Sequence, residues 1–179
     1  NAFTLATTHE DTTERELSPV GHIYQFQWLF MPGGAATSIP HQKRFHQWQL
    51  DLRHYHPIGD EVILATQGFY GHSLGTPSYL FRYRLGGDLL RGYGYARFKG
   101  NRLYAFQEEL RFPLWSILSG DTFFSLGDTV EKEFSEVPFY CYGFGLKVNL
   151  PPDYIAKVRF EIGFSKESYN VLMEANHAF

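Results

Sequence analysis

Eight histidines, one cysteine and a glycine-rich stretch are the residues of this 179-residue chain with ligating or reactive chemistry to offer. His41, His46, His54 and His56 lie close in sequence. His54 and His56 are two apart and share one face of an extended strand, a spacing compatible with a metal pair, although interfacial or turn roles are expected for them and no metal is. Cys141 has no base near it in sequence to take its proton, so it does not read as a nucleophile. The glycines between residues 86 and 100 are followed by neither Gly-Lys-Ser/Thr nor a helical pattern, which leaves phosphate binding unsupported. The residue that stands out is Arg91, in a long loop whose Gly86, Gly87, Gly92 and Gly94 permit a tight fold. A guanidinium withdrawn from bulk water needs a carboxylate, and Glu109 lies on the polar face of the strand that follows. Neither an enzyme nor a cofactor is expected.

The elements that would hold these residues have a period of two. In residues 20–30, His22, Tyr24, Phe26, Trp28 and Phe30 share one face and Gln25 and Gln27 the other. Residues 44–55 repeat this with Trp48, Leu50 and Leu52 against Gln47, Gln49, Asp51 and Arg53. A weaker run follows at 61–70. At 103–112, Tyr104, Phe106, Leu110 and Phe112 oppose Gln107, Glu109 and Arg111, with Glu108 interrupting the apolar face. Runs at 121–130, 138–150, 154–164 and 169–179 complete eight strands of about ten residues, the length a tilted strand needs to cross a hydrocarbon layer. In 154–164 the apolar set is Tyr154, Ala156, Val158, Phe160, Ile162 and Phe164, and the polar set is Lys157, Arg159, Glu161 and Gly163. Joins at 56–60, 113–120 and 151–153 are short, and those at 31–43, 71–101 and 131–137 mostly longer, an asymmetry that suits periplasmic turns and external loops. On this count both termini are periplasmic. Residues 1–19 read as a polar periplasmic tail or short helix, and 20–179 as a barrel domain carrying the long loop 71–101.

Composition bounds the reading. Phe 17, Tyr 12 and Trp 3 make the chain 18% aromatic, yet its mean hydropathy is −0.29. Lys+Arg 16 against Asp+Glu 19 gives a net charge of −3, with no basic stripe for nucleic acid. A single cysteine excludes an intrachain disulfide framework. No run approaches the roughly 20 apolar residues of a membrane helix, but a spanning strand turns only alternate side chains to lipid. A soluble lipocalin-like barrel shares the period of two. Against it, Cys141, Gly143, Gly145, Lys147 and Asn149 share one face while the opposite face is an almost unbroken set of Tyr, Phe, Leu and Val. The fold class expected is therefore all-β, an antiparallel transmembrane β-barrel with eight strands per chain.

Several motifs fall in one order. Leu85-Gly86-Gly87 precedes Leu90-Arg91-Gly92-Tyr93, then comes Glu109-Leu110-Arg111-Phe112-Pro113, then 143–151, 158–165 and a terminal Phe179. Over roughly residues 60–179 this resembles the large barrel loop and final strands of the BamA/TamA outer-membrane assembly and translocation superfamily, the bacterial surface antigens. The resemblance implies that the loop folds back into the barrel and that Arg91 pairs with acids on the inner wall. Glu109 matches one of these acids, Arg111 lies beside it, and a second family acid would fall at Ser125. It also implies that Tyr169, Val171, Met173 and Phe179 form the family's assembly signal. The function implied is insertion or passage of proteins, or of lipids, at the outer membrane of a Gram-negative bacterium or related organelle. The runner-up is a small structural barrel or pore with ligand-binding external loops.

The chain departs from the family in two respects. Nineteen residues hold no periplasmic partner domain, and the family's sixteen strands are twice the number expected here. An eight-stranded lumen admits side chains but not an inserted loop of about 30 residues. Three arrangements follow: a closed barrel with the loop outside, a sixteen-stranded barrel of two identical chains, or a chain from which residues before Asn1 have been removed. The expected partners are membrane lipid, a second copy of the chain and client proteins.

Overall fold

The structure is a computed structural model and describes residues 2–13, 19–33, 43–130, 134–135, 137–150 and 156–177. It is all-β. Nine long strands form one antiparallel sheet in which each pairs with the next: β1 (Phe3–Thr13), β2 (Val20–Met31), β3 (Phe45–Ile58), β4 (Val62–Gly75), β7 (Arg102–Trp115), β8 (Leu118–Val130), β9 (Phe139–Leu150), β10 (Ala156–Ser165) and β11 (Tyr169–His177). A small hairpin, β5 (Tyr83–Leu85) with β6 (Phe98–Gly100), lies in the loop between β4 and β7. Among the described residues β1 and β11 are not paired with each other and, as first and last of nine antiparallel strands, run in the same direction, so β1 begins and β11 ends at opposite ends of the sheet and not on one side as expected. Among the described residues no helix is long and apolar enough to cross a membrane.

The strand count differs from the eight expected because residues 3–13 form β1 where a tail or short helix was expected. Phe3 and Leu5 stand opposite Phe30 and Trp28 in register, so the first strand continues the apolar face. Beyond Ala6 both faces of β1 are Thr, His, Glu and Asp, and alternation disappears from the sequence although the β-branched threonines still favour extended backbone. Other strands are longer than their apolar runs. β3 and β4 continue to a turn at 59–61, where Gly59 has φ 71°, and β7 and β8 are joined through only 116–117. The motif loop begins correspondingly later, at 76 instead of 71.

One period-two register runs across the sheet, shifting between Pro113 and Trp115 at the end of the β7–β8 hairpin, and separates two faces. Tyr24, Leu52, Gly68, Phe106, Leu126 and Tyr140 form one cross-strand row of the open face. Towards β11 that face is exposed and almost wholly apolar, with Tyr142 at 57%, Phe144 at 51%, Val171 at 58% and Met173 at 69% exposure. The opposite face carries the loop. Near the loop it is apolar, with Phe45, Leu103, Ala105, Phe123 and Cys141 buried, and away from it the face becomes charged.

The loop is folded upon itself before it meets the sheet. Gly86 and Gly87 take φ of 113° and 70°, a left-handed backbone that other residues rarely adopt, and Gly87 N–H donates to the Tyr93 carbonyl at 3.0 Å. Leu85 and Leu90 are fully buried with Tyr83 and Tyr93 in one cluster with the sheet. Phe81 packs on Phe45 at 5.2 Å between ring centroids, and Phe98 stacks on Phe139 at 4.0 Å. The Tyr83 hydroxyl donates to the Trp48 carbonyl at 2.6 Å; burial pushes the Tyr83 and Tyr93 phenols up, which keeps both neutral. Phe45→Ala is therefore expected to cost about 3–5 kcal/mol and to open 76–101 to protease, whereas Phe3→Ala on the open face should do neither. Denaturant unfolding in detergent with limited proteolysis checks both.

Candidate functional site

The loop-bearing face repeats an inward parity on every strand, and that parity converges six charged side chains beneath the loop tip. β7 contributes Glu109 and Arg111, β8 Asp121, β10 Arg159 and Glu161, and the loop Arg91. Three carboxylates thus meet three guanidiniums. Glu109, Asp121 and Glu161 are buried, at 4–6% exposure.

Arg91 is the piece that does not belong to the sheet. Its Nη2 donates to Glu109 Oε2 at 2.5 Å and its Nη1 to Glu161 Oε1 at 2.8 Å, so the two arms of one fork are divided between β7 and β10. The guanidinium also lies over the Phe123 ring, 4.6 Å from its centroid. The backbone beside it is held as well, since Asn170 on β11 donates to the Arg91 carbonyl at 3.0 Å.

Contact this close requires missing side chains. A Cβ on Gly163 of β10 would lie 2.8 Å from the Arg91 carbonyl carbon and oxygen and from Gly92 N, and one on Gly92 would lie 2.5 Å from Cys141 Cβ. Glycines on both surfaces let the Arg91-Gly92 backbone rest directly on β9 and β10.

Glu109 is the hub. Besides Arg91 it accepts from Arg111 Nε at 2.6 Å and from Arg159 Nη2 at 3.0 Å. Arg159 also meets Glu161 at 2.5 Å and Asp121 at 3.6 Å. Three arginine side chains on one buried carboxylate leave an uncompensated positive cluster if that carboxylate is removed, a loss that costs about 3–5 kcal/mol. The same three acids have ligand atoms close enough to hold a cation, but guanidiniums already pair with Glu109 and Glu161, while Asp121 has Arg159 only at 3.6 Å.

The site residues named from sequence divide as follows. Arg91, Glu109 and Arg111 meet in this cluster, and Leu90, Gly92 and Tyr93 pack the loop tip around it. Ser125 does not touch Arg91. Its hydroxyl donates to Gln107 Oε1 at 3.2 Å, at the head of a polar chain running through Gln67 to Asp51 and Arg53. The second acid on Arg91 is Glu161, a role that sequence reading missed; its inward parity with Gly163 on β10 was the available signal. Tyr169, Val171 and Met173 lie exposed along β11, and Phe179 is outside the described residues. His54 and His56 stack at 6.1 Å on the open face, across the sheet from this cluster, whose Arg111 lies over the ring of the intervening Tyr55. Cys141 is buried beneath Gly92 as packing.

An open cavity of about 660 Å³ lies between the loop and the sheet, lined among others by Asp51, Arg53, Arg91, Arg111 and Glu174. Compared with known proteins, the chain matches no family model and no curated protein.

Destabilisation is expected to follow the number of partners stranded. Glu109→Gln should cost about 3–5 kcal/mol and Glu161→Gln less, while Glu174→Gln, with no partner in the cluster, should stay within about 0.5 kcal/mol. Gly163→Ala should free the loop to protease without removing any charge. Urea unfolding followed by tryptophan fluorescence, with proteolysis of 76–101, separates the two effects.

Proposed function

We propose that this chain builds part of an outer-membrane β-barrel that inserts or passes proteins, with the loop-bearing face turned to the lumen and the open face in lipid. The observation that carries the reading is Arg91, clamped through Glu109 and Glu161 to the inner face of two different strands. A motif loop bound in that way belongs inside a lumen. The exposed apolar face of β8 to β11 supports the lipid assignment, because a face of Tyr, Phe, Leu and Val this extensive is disfavoured in water.

Closure follows from strand parity. Nine successive antiparallel strands leave β1 and β11 running in the same direction. Two copies related by an axis along the barrel would join β11 of one to β1 of the other in parallel. An antiparallel seam on both sides needs an odd number of further strands between β11 and β1. We infer closure of that kind, into a barrel wide enough to enclose the loop. Unpaired edges do not persist in hydrocarbon, where each unsatisfied backbone group costs several kcal/mol. The seam along β11, where Tyr169, Val171 and Met173 stand exposed, is then the part that offers backbone groups to an incoming client strand. The role is non-enzymatic, and the partners are lipid and client proteins.

Depleting the protein in its own cell tests this. A several-fold loss of other outer-membrane barrels or of secreted proteins is expected, reproduced by Arg91→Ala at normal protein level. An unchanged membrane proteome with altered permeability alone would favour a pore, and a particle of two identical chains would overturn the inferred closure.

A further inference from the structure

The histidines unused by the loop cluster do not scatter once the strands are in register. β1, β2 and β3 bring Asp11, His22 and His54 into one cross-strand row: Asp11 faces His22, and His22 faces His54. His9 is two residues from Asp11 on the same side, with its ring 5.6 Å from that of His22, and His56 follows His54 at 6.1 Å. All five lie on the open face, His9, Asp11, His54 and His56 exposed and His22 half-buried. They sit at the end of the sheet where β3 turns into β4, away from the loop. Side chains directly opposite on antiparallel strands have Cβ atoms about 4.5–5.5 Å apart, a spacing two imidazoles can close around one ion at about 2.0–2.1 Å each by side-chain rotation alone.

We propose that this row is a binding site for a borderline transition-metal cation, Zn²⁺ or Cu²⁺, held by His22 and His54 with His9 or Asp11 of β1 as a further ligand. Imidazole nitrogens with one carboxylate select such ions over Mg²⁺ or Ca²⁺, which prefer oxygen donors. In the free protein the His9 ring is tilted against His22, His22 stacks on Tyr24 at 4.7 Å and His54 stacks on His56, so the imidazoles are gathered on one face without their ligand atoms converging. Because the ligands come from three neighbouring strands, the bound ion would pin β1 to β2 and β3 at this end of the sheet. In the outer-membrane reading this row lies on the lipid-facing side near the β3–β4 turn, where the end of the sheet meets the membrane–water interface.

The test uses the full chain in mild detergent, stripped with chelator and titrated with Zn²⁺ by calorimetry and with Cu²⁺ by electron paramagnetic resonance. Expected is one saturable site per chain, with nitrogen superhyperfine splitting for Cu²⁺ from at least two imidazoles. His22→Gln and His54→Gln should each weaken binding at least about tenfold, and His46→Gln, on the same face at the far end of β3, should leave it unchanged. Far-UV circular dichroism of each variant controls for folding. No saturable binding, or affinity unaltered in both His22→Gln and His54→Gln, overturns the proposal.

Discussion

A buried arginine fork with its two arms on different strands is a demanding arrangement, and the rest of this molecule is shaped around meeting it. Arg91 reaches Glu109 on β7 and Glu161 on β10, strands separated in the sheet by β8 and β9. The fork fits only if the intervening strands are low beneath it. Phe123 on β8 lies under the guanidinium with Gly143 of β9 against its ring, and the positions of β9 and β10 beneath the loop backbone are Cys141 and Gly163. The loop's own glycines bend it so that Leu85, Leu90 and Tyr93 seal one side of the cluster. The charges are held together by desolvation and mutual pairing rather than by exposed contact, which makes removal of any one more costly than its own bond.

The second constraint is that the sheet has two unlike faces and, among the described residues, two unpaired edges. A soluble sheet of this width would hide its aromatic face against another layer, and none of the described residues covers it. Strand parity then limits what completes the structure. With β1 and β11 pointing the same way, the barrel proposed above would need an odd number of strands beyond these nine for antiparallel closure, and its greater width would leave room for the loop.

Legibility from sequence followed the strength of alternation. The run Tyr140, Tyr142, Phe144, Leu146, Val148 placed β9 and its two faces directly, and the same parity put Glu109 and Arg159 on the polar side. β1 was hidden because Thr7 to Thr13 are polar on both faces, so pairing with β2, a non-local property, decides its conformation. The partnership of Glu161 with Arg91 spans 70 residues and depends on how the loop lies across β8 and β9, which no local pattern encodes. Ser125 was displaced from that role for the same reason: its row in the sheet leads to Gln107, not to the loop. The juxtaposition of His22 with His54 likewise required the register of β2 on β3, whereas sequence alone paired His54 with His56.

The most direct test of the central claim is a double-mutant cycle on Arg91 and Glu161, comparing unfolding free energies in detergent of Arg91→Ala, Glu161→Ala and the double variant. If the loop is held by this buried pairing, the double variant should lose at least about 1.5 kcal/mol less than the sum of the single losses, because each single change strands the other's charge. Losses that add to within about 0.5 kcal/mol would mean that the two side chains act independently, and would contradict the account.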